Sequence, residues 1–330
     1  MSNQFEYSVA IRTVGKAGDK FVRELESLFA QTVKPKHVYV HLAHGFERPE
    51  VQVGYEEYVD TPKGLVHQRA AANQVEEEYV LIIDDDVYFP PTAVETMYQA
   101  LQEHHADGII PDTFPTQNMS AAGKIGNYLT NTVHGRRDDG FAIKIGRAGA
   151  FSYNSHPAQG AILPTESGAG TAVFIKTEAW CSIRYQDETW IDEKFPPGTF
   201  AEDQLMYQKL TANGFKLLMW YDSGVLHLDA NTNKASQKTW DKIYYRAMSQ
   251  YLTWYRCVYS LPRNTAGDRV KDSLAYGWRL LLSCLTRVAF SVVRLSARFL
   301  TAHIKGNIDA RRFAHSEEYR SLPPFVLVER

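Results

Sequence analysis

Cysteine is scarce in this chain: Cys181, Cys257 and Cys284 are odd in number, widely spaced and without a nearby histidine. Such a set builds neither a zinc cluster nor a disulfide framework, and it fits a reducing compartment. Positive charge is not in excess either. The 36 Lys and Arg face 38 Asp and Glu, a formal net charge of −2, so no overall basic field recommends a nucleic acid as partner. No basic stretch followed by an apolar run opens the chain, so a cleaved signal is not expected and a cytoplasmic location is. Neither a P-loop nor a nucleophile elbow is present, which removes the commonest NTPase and hydrolase readings. Gly168-Ala169-Gly170 lacks the third glycine and the early position of a dinucleotide fingerprint.

What is present is enough for a substantial core: 330 residues, 44 % of them apolar, fit one large or two ordinary domains. The charge is unevenly spread. From Lys242 to Arg330 there are 15 basic and 6 acidic residues, net +9, which leaves −11 for the rest. The last quarter is therefore expected to meet something anionic or to pack on the acidic body.

Over the first 110 residues, β-like runs (Tyr7 to Ile11, His37 to Leu42, Tyr79 to Ile83, Gly108 to Pro111) alternate with helix-like ones (Phe21 to Ala30, Leu65 to Val75, Pro90 to His105). This rhythm implies an α/β fold with a mostly parallel sheet covered by helices, whose ligands bind outside the carboxyl ends of the strands. Residues 112 to 165 read as a loop-rich insertion over that end, with short β-like pieces at Phe141 to Ile145 and Ala150 to Tyr153. A strand at Thr171 to Lys176, a helix at Ala201 to Ala212 and strands at Lys216 to Trp220 and Gly224 to Leu228 follow. From Lys234 the pattern is helical, with breaks expected near Pro262 and Gly306. Trp278 to Ile304 is the most apolar stretch, yet Arg279, Arg287, Arg294 and Arg298 interrupt it too often for a bilayer span. It reads as an amphipathic helix with a basic stripe of Arg287, Arg294, Arg298 and Lys305, joined by Arg269. Packing on its own domain is the plainer expectation, and attachment to an anionic membrane face or a homodimer interface are the alternatives.

Three constellations could carry chemistry. Asp84-Asp85-Asp86 follows the buried run YVLII directly. Alternation along an extended backbone would turn Asp84 and Asp86 to one side and Asp85 to the other. Two carboxylates converging there repel unless a cation lies between them, and hard divalent ions prefer such oxygen ligands. An acidic turn capping the next helix is the bland alternative. Glu202-Asp203 opens a helix whose dipole would keep a carboxylate ionised and able to accept a proton, although acidic residues also decorate helix starts for no other purpose. His227 closes the short run GVLHLD, a place where a structural histidine is commoner than a ligand. Lys63, Arg69, Arg12 and Thr13 would lie at the same edge of the sheet, where basic groups suit phosphate.

The order of these features, with KGLVHQRAAANQVEEEYVLIIDDDVYFPP followed by WIDEKFPPGTFAEDQLMYQKLTANGFKLLMWYDSGVLHLD, resembles the GT-A glycosyltransferases of the family 2 type over residues 6 to 230. The resemblance implies a catalytic domain over 1–233, divided into a nucleotide-sugar half (1–111) and an acceptor half (112–233), with a helical, basic extension over 234–330. Asp84 and Asp86 would be the motif carboxylates at the ribose and the metal diphosphate, with Asp85 between them and His227 completing a Mn²⁺ or Mg²⁺ site. Thr13, Lys63 and Arg69 would lie with the donor. Asp203 would be the general base for the acceptor hydroxyl and Glu202 its orienting or acceptor-binding neighbour. The implied reaction is metal-dependent and inverting, moving a sugar from a nucleoside-diphosphate sugar, UDP favoured, to a glycan or lipid-linked acceptor in cell-surface polysaccharide synthesis, with a peripheral foothold on the inner membrane face. A sugar-1-phosphate nucleotidyltransferase and a catalytically silent sugar-binding scaffold are the competing readings.

Overall fold

A computed structural model describes residues 5–113, 140–154, 157–229 and 239–327. The first part runs β1 (Tyr7–Thr13), α1 (Asp19–Phe29), β2 (Val38–Ala43), β3 (Glu57–Thr61), α2 (Leu65–Ala70), β4 (Tyr79–Asp84), β5 (Val87–Tyr88), α3 (Ala93–Glu103) and β6 (Gly108–Pro111). The second runs β7 (Ile143–Ile145), β8 (Phe151–Tyr153), β9 (Ile162–Thr165), β10 (Ala172–Lys176), α4 (Thr177–Ser182), α5 (Trp190–Lys194), α6 (Glu202–Ala212), β11 (Leu217–Trp220) and β12 (Leu226–His227). The helices α7 (Thr239–Trp254), α8 (Ala266–Val293), α9 (Arg298–Ala314) and α10 (Glu317–Arg320) follow, with a π-helical turn over Tyr255–Tyr259.

Among the described residues, eight strands form one sheet in the order β3-β2-β1-β4-β10-β6-β11-β9. Only β10 and β9 run against the rest, so the expected mostly parallel α/β sheet is what forms. Its strands are apolar without interruption because both faces are covered, and their residues divide by parity. Tyr79, Leu81 and Ile83 of β4 and Phe174 of β10 pack with α1 and α3, whereas Val80, Ile82, Val173 and Ile175 pack with α2 and α6. The buried run therefore lasts until β4 leaves the sheet at Asp84, where the carboxylates begin.

Several expectations change. The helix expected over Leu65 to Val75 is α2 followed by a 3₁₀ turn at Ala71–Gln74. Part of the expected insertion, 114–139, lies outside the described residues, as does the 233/234 domain boundary. The rest is not all loop, since Ile162–Thr165 pairs with β11 as the sheet's edge. The break expected at Gly306 is absent. Gly306 lies inside α9, where a Cβ would come within 2.4 Å of the Tyr244 carbonyl oxygen, so the glycine permits close helix packing and the chain turns at 294–297 instead. That turn also ends the helix expected to run on to Ile304, dividing its basic stripe between α8 and α9.

The C-terminal helices complete the body's core. Leu252, Cys257, Leu261, Ala310 and Tyr319 belong to the same buried cluster as Val80 and Leu205. Within it, Glu188 accepts two hydrogen bonds from Arg256 and one from Lys209, each 2.8 Å, and a fourth from the Trp190 indole at 2.9 Å. One carboxylate thus faces two cations, and both of its oxygens are hydrogen-bonded, which is what makes a buried ion cluster tolerable.

Candidate active site

The carboxyl ends of β1 and β4 open into a cleft of about 270 Å³, lined by Arg12, Thr13, Gln68, Asp84, Asp85, Asp86, His227 and Asp229 among others. The acidic triplet behaves differently from the alternation expected of it. The strand ends at Asp84 and residues 85 and 86 form a turn, so all three line the one cleft.

Each carboxylate has its own partner. Asp84 takes both Nε and Nη2 of Arg12, the latter at 3.0 Å. Asp85 accepts the Thr13 hydroxyl at 2.5 Å, and that oxygen in turn accepts the Gly15 amide at 2.8 Å. Burial pushes Asp85 up to about 6, with the adjacent Asp86 and Asp84 charges adding to the rise. Asp86 lies 3.2 Å from His227 Nε2. This contact raises the histidine's pKa, through the hydrogen bond to Asp86 and then the surrounding carboxylate charge, against desolvation. β12 brings His227 there by pairing with β5, His227 opposite Val87, while the Leu228 amide donates to the Asp86 carbonyl at 2.7 Å.

From beneath, α1 fastens the turn with an inward polar stripe. Glu24 accepts the Val87 amide at 2.6 Å, Ser27 the Phe89 amide at 3.2 Å, and Gln31 the Val94 amide at 3.2 Å. Burial holds the Glu24 carboxyl well above the usual range. This residue escaped notice in the sequence, although a glutamate on the same helical face as Phe21, Leu25 and Leu28 is the available signal.

A second layer joins the cleft to α6. Arg12 and Arg69 both reach Glu202 Oε1, at 3.5 and 3.4 Å, and Arg69 also lies 3.8 Å from Asp84. Arg69 is buried and donates to the Gly170 carbonyl at 2.7 Å. Two arginines are thus held between the carboxylate that ends β4 and the one that begins α6. Asp203, next to Glu202, accepts the Gln204 amide at 2.7 Å. Burial and then the Glu202 charge push its pKa up to about 6, against the opposing pull of Arg69 and Arg12. The carboxylate is therefore ionised at neutral pH but close to its midpoint, a better position for taking up a proton than the low value a helix dipole alone would give.

The other expected donor residues lie elsewhere. Lys63 is outside the cleft lining, its ammonium 5.0 Å above the Phe46 ring. Arg69 is also behind the lining rather than in it. Gln68, not singled out from the sequence, donates to the carbonyls of Thr13 and His41 at 2.8 Å each and ties β1 to β2. Asp192 accepts the Val66 and His67 amides at 2.9 Å each and so caps α2 from α5. Gly64 is needed there, because a Cβ would lie 2.2 Å from the Asp192 carboxylate and its φ is +156°.

Among the described residues no three His, Cys, Asp or Glu side chains form a ready-made metal site. Asp86 and His227 still offer a hard oxygen and an imidazole in contact, and the cleft's four aspartates outnumber its cations. That donor set suits a Mg²⁺-like ion, which keeps several waters and is bound through one or two carboxylates together with substrate phosphates.

Residues 62–154 match the family described as "Glycosyl transferase family 2". No curated protein matches the chain. Among solved structures, it is similar to GalNAc-T7 with UDP, GalNAc and Mn²⁺, at 13 % identity and a TM-score of 0.47, covering 89 % of this chain and 59 % of that one. It is also similar to the mannosyltransferase PcManGT from Pyrobaculum calidifontis in complex with GDP-Man and Mn²⁺, at 13 % identity, coverage of 94 % and 87 %, and a TM-score of 0.45. A third is S. aureus TarS 1-349 in complex with UDP, at 13 % identity, coverage of 93 % and 91 %, and a TM-score of 0.43. The chain spans 59 % of the length of the first of these.

Proposed function

We propose that this chain is a GT-A glycosyltransferase of the family 2 type, and that it moves a sugar from a nucleoside-diphosphate sugar to an acceptor hydroxyl with inversion at the anomeric carbon. The observation that carries the reading is the joining of the acidic turn at 84–86 to Glu202-Asp203 through Arg12 and Arg69, with the turn and Arg69 inside the segment that matches the family.

In this reading Asp86 and His227 would hold a divalent cation, Mn²⁺ or Mg²⁺. When bound, such an ion neutralises the charge that gathers on the departing diphosphate. Asp84, held by Arg12, faces the donor from the end of β4, and Asp85 is kept in place by Thr13. The Asp203 carboxylate takes the proton of the acceptor hydroxyl. The freed oxygen bonds to the anomeric carbon as the bond from that carbon to the diphosphate breaks on the opposite side, the electron pair leaving with the diphosphate. Glu202, engaged by two guanidinium groups, fixes the first turn of α6 and with it the position of Asp203. A UDP-sugar donor and a glycan or lipid-linked acceptor in cell-surface polysaccharide synthesis complete the reading, as does action on the cytoplasmic side of the membrane. No described helix is long and apolar enough to cross a membrane. The helices from 239 onward serve as an extension of the 1–233 catalytic domain, whose core they share.

The test is nucleoside-diphosphate release from a panel of UDP-, GDP- and dTDP-sugars with Mn²⁺ or Mg²⁺, repeated with EDTA. Release of nucleoside diphosphate from one donor, lost with EDTA and in Asp86→Ala, supports the reading. Pyrophosphate formed from a nucleoside triphosphate and a sugar phosphate would make the chain a nucleotidyltransferase, and donor binding without turnover for any acceptor would make it a scaffold.

A further inference from the structure

The long helix α8 has two unlike faces. One is seated on the body: Asp272, Tyr276 and Arg279 are buried, with Asp272 on Arg147 at 2.8 Å and Arg279 on the Ala148 carbonyl at 2.8 Å. The other is open and apolar. Leu274, Trp278, Leu281, Leu285, Val288 and Val292 are each between 43 and 70 % exposed.

Their spacing is 4, 3, 4, 3, 4. That is a heptad seam, and a repeat of 3.5 residues is what keeps one helix facing another. The positions beside it are small or apolar. Gly277, Cys284 and Ser291 recur every seven residues on one flank, Ala275, Leu282 and Ala289 on the other, and a Cβ at Gly277 would meet nothing. The flanks therefore leave room for the seam's side chains to interdigitate with those of a facing helix. No residue of the seam or its flanks from Leu274 to Val292 is charged, and Arg287 lies about 140° around the helix from the seam's centre. A helix lying on an anionic bilayer instead carries Lys and Arg along its polar face and at the borders of its apolar one.

We propose that this face is where a second copy of the chain docks, α8 against α8, as a two-fold homodimer. A two-fold interface uses the same patch twice, so a patch meeting itself must carry no uncompensated charge, a condition this seam meets. Six side chains of this size and exposure present on the order of 600 Å² per chain, so that pairing them buries about 1,200 Å², the lower bound of a standard stable interface. Arg287 and Arg294 stay outside the contact and repel nothing across it.

The experiment is sedimentation velocity on the full chain over a range of micromolar concentrations, alone and with vesicles of phosphatidylglycerol and phosphatidylcholine. The expected mass is twice the 37.5 kDa of one chain, falling to one chain in Leu281→Glu/Leu285→Glu with the circular-dichroism spectrum and any sugar transfer unchanged. Where that variant loses helix, Val292→Asp near the end of α8 must weaken the dimer at least 10-fold. A wild-type protein that sediments as one chain throughout overturns the proposal, as does a dimer indifferent to both substitutions. Vesicle binding by a single-chain wild type, abolished in the double variant, would assign the face to lipid. Because the readout is mass rather than turnover, it stands or falls separately from the transferase reading.

Discussion

Arg12 and Asp84 occupy partnered positions on adjacent parallel strands, and the guanidinium of one lies against both carboxylate oxygens of the other. The pair is largely buried, and the remaining guanidinium nitrogen faces Glu202. Burial would lower the arginine's pKa, but Asp84 and then Glu202 outweigh it and raise it, so the guanidinium keeps its charge. Arg12 thus joins the carboxyl end of β4 to the start of α6.

Removing the arginine leaves Asp84 and Glu202 with Arg69 as their common cation. Arg12→Met is expected to destabilise the fold by about 3 kcal/mol, as for other broken buried pairs, and to lower activity more than it lowers donor affinity. Urea unfolding checks the first point, and comparison of kcat with donor Kd the second. A variant within about 0.5 kcal/mol of wild type, where ordinary surface substitutions fall, would show that the pair is replaceable.

With Asp203 as the proposed base, its titration is expected to set the acid limb of activity. Its carboxyl is held at about 6, so kcat/KM is expected to rise with pH through that value and level off above it. Asp203→Asn should lower kcat about 10²- to 10⁴-fold while leaving donor binding in place. The stability effect has the opposite sign. A folded-state pKa above the unfolded value near 3.8 means that the native state holds the proton more tightly, so this group's contribution declines as pH rises from about 4 to about 6. At pH 7 the asparagine variant should therefore melt at or above the wild-type temperature, and thermal melts across that range decide it.

Much of this architecture is legible in the sequence, and the exceptions have physical reasons. YVLII announces a strand buried on both faces, and the three aspartates mark where it emerges. β3 is harder to see because Glu57–Thr61 is a half-exposed edge strand with little alternation, and β9 because Pro164 interrupts a four-residue run. The Arg12–Asp84 pair is readable in principle, since each residue follows the last apolar position of its strand. The Arg69–Glu202 contact joins residues 133 apart, and no local pattern encodes it. Gly306 was readable as a helix breaker only because the Tyr244 carbonyl it accommodates is invisible until the helices are packed.

His227 and Asp86 make a prediction independent of turnover. With nucleoside diphosphate present, Mn²⁺ binding measured calorimetrically should weaken in His227→Ala and more strongly in Asp86→Ala, because the carboxylate supplies charge as well as a ligand. A urea midpoint measured on each variant separates loss of a metal ligand from loss of the fold. Unchanged Mn²⁺ affinity in both variants would remove them from the metal site.

Gly170 gives the sharpest geometric test. A Cβ at this position would lie 2.8 Å from Asp203 Cβ and 2.9 Å from Arg69 Nη2, closer than real side chains approach one another. Something must therefore give way in Gly170→Ala, and both neighbours adjoin Glu202 at the start of α6. The glycine's carbonyl also holds Arg69, so a shift of the backbone would move the arginine together with the base. Displacing a catalytic group by a fraction of an ångström to 1 Å costs up to about 10²-fold in rate, so kcat should fall roughly 10- to 100-fold. Mn²⁺ and donor binding, which the proposed function assigns to Asp84, Asp86 and His227, should hardly change. Equal losses in kcat and donor affinity would mean that the strain spreads through Arg69 to Asp84, and that the two carboxylate groups respond as one unit.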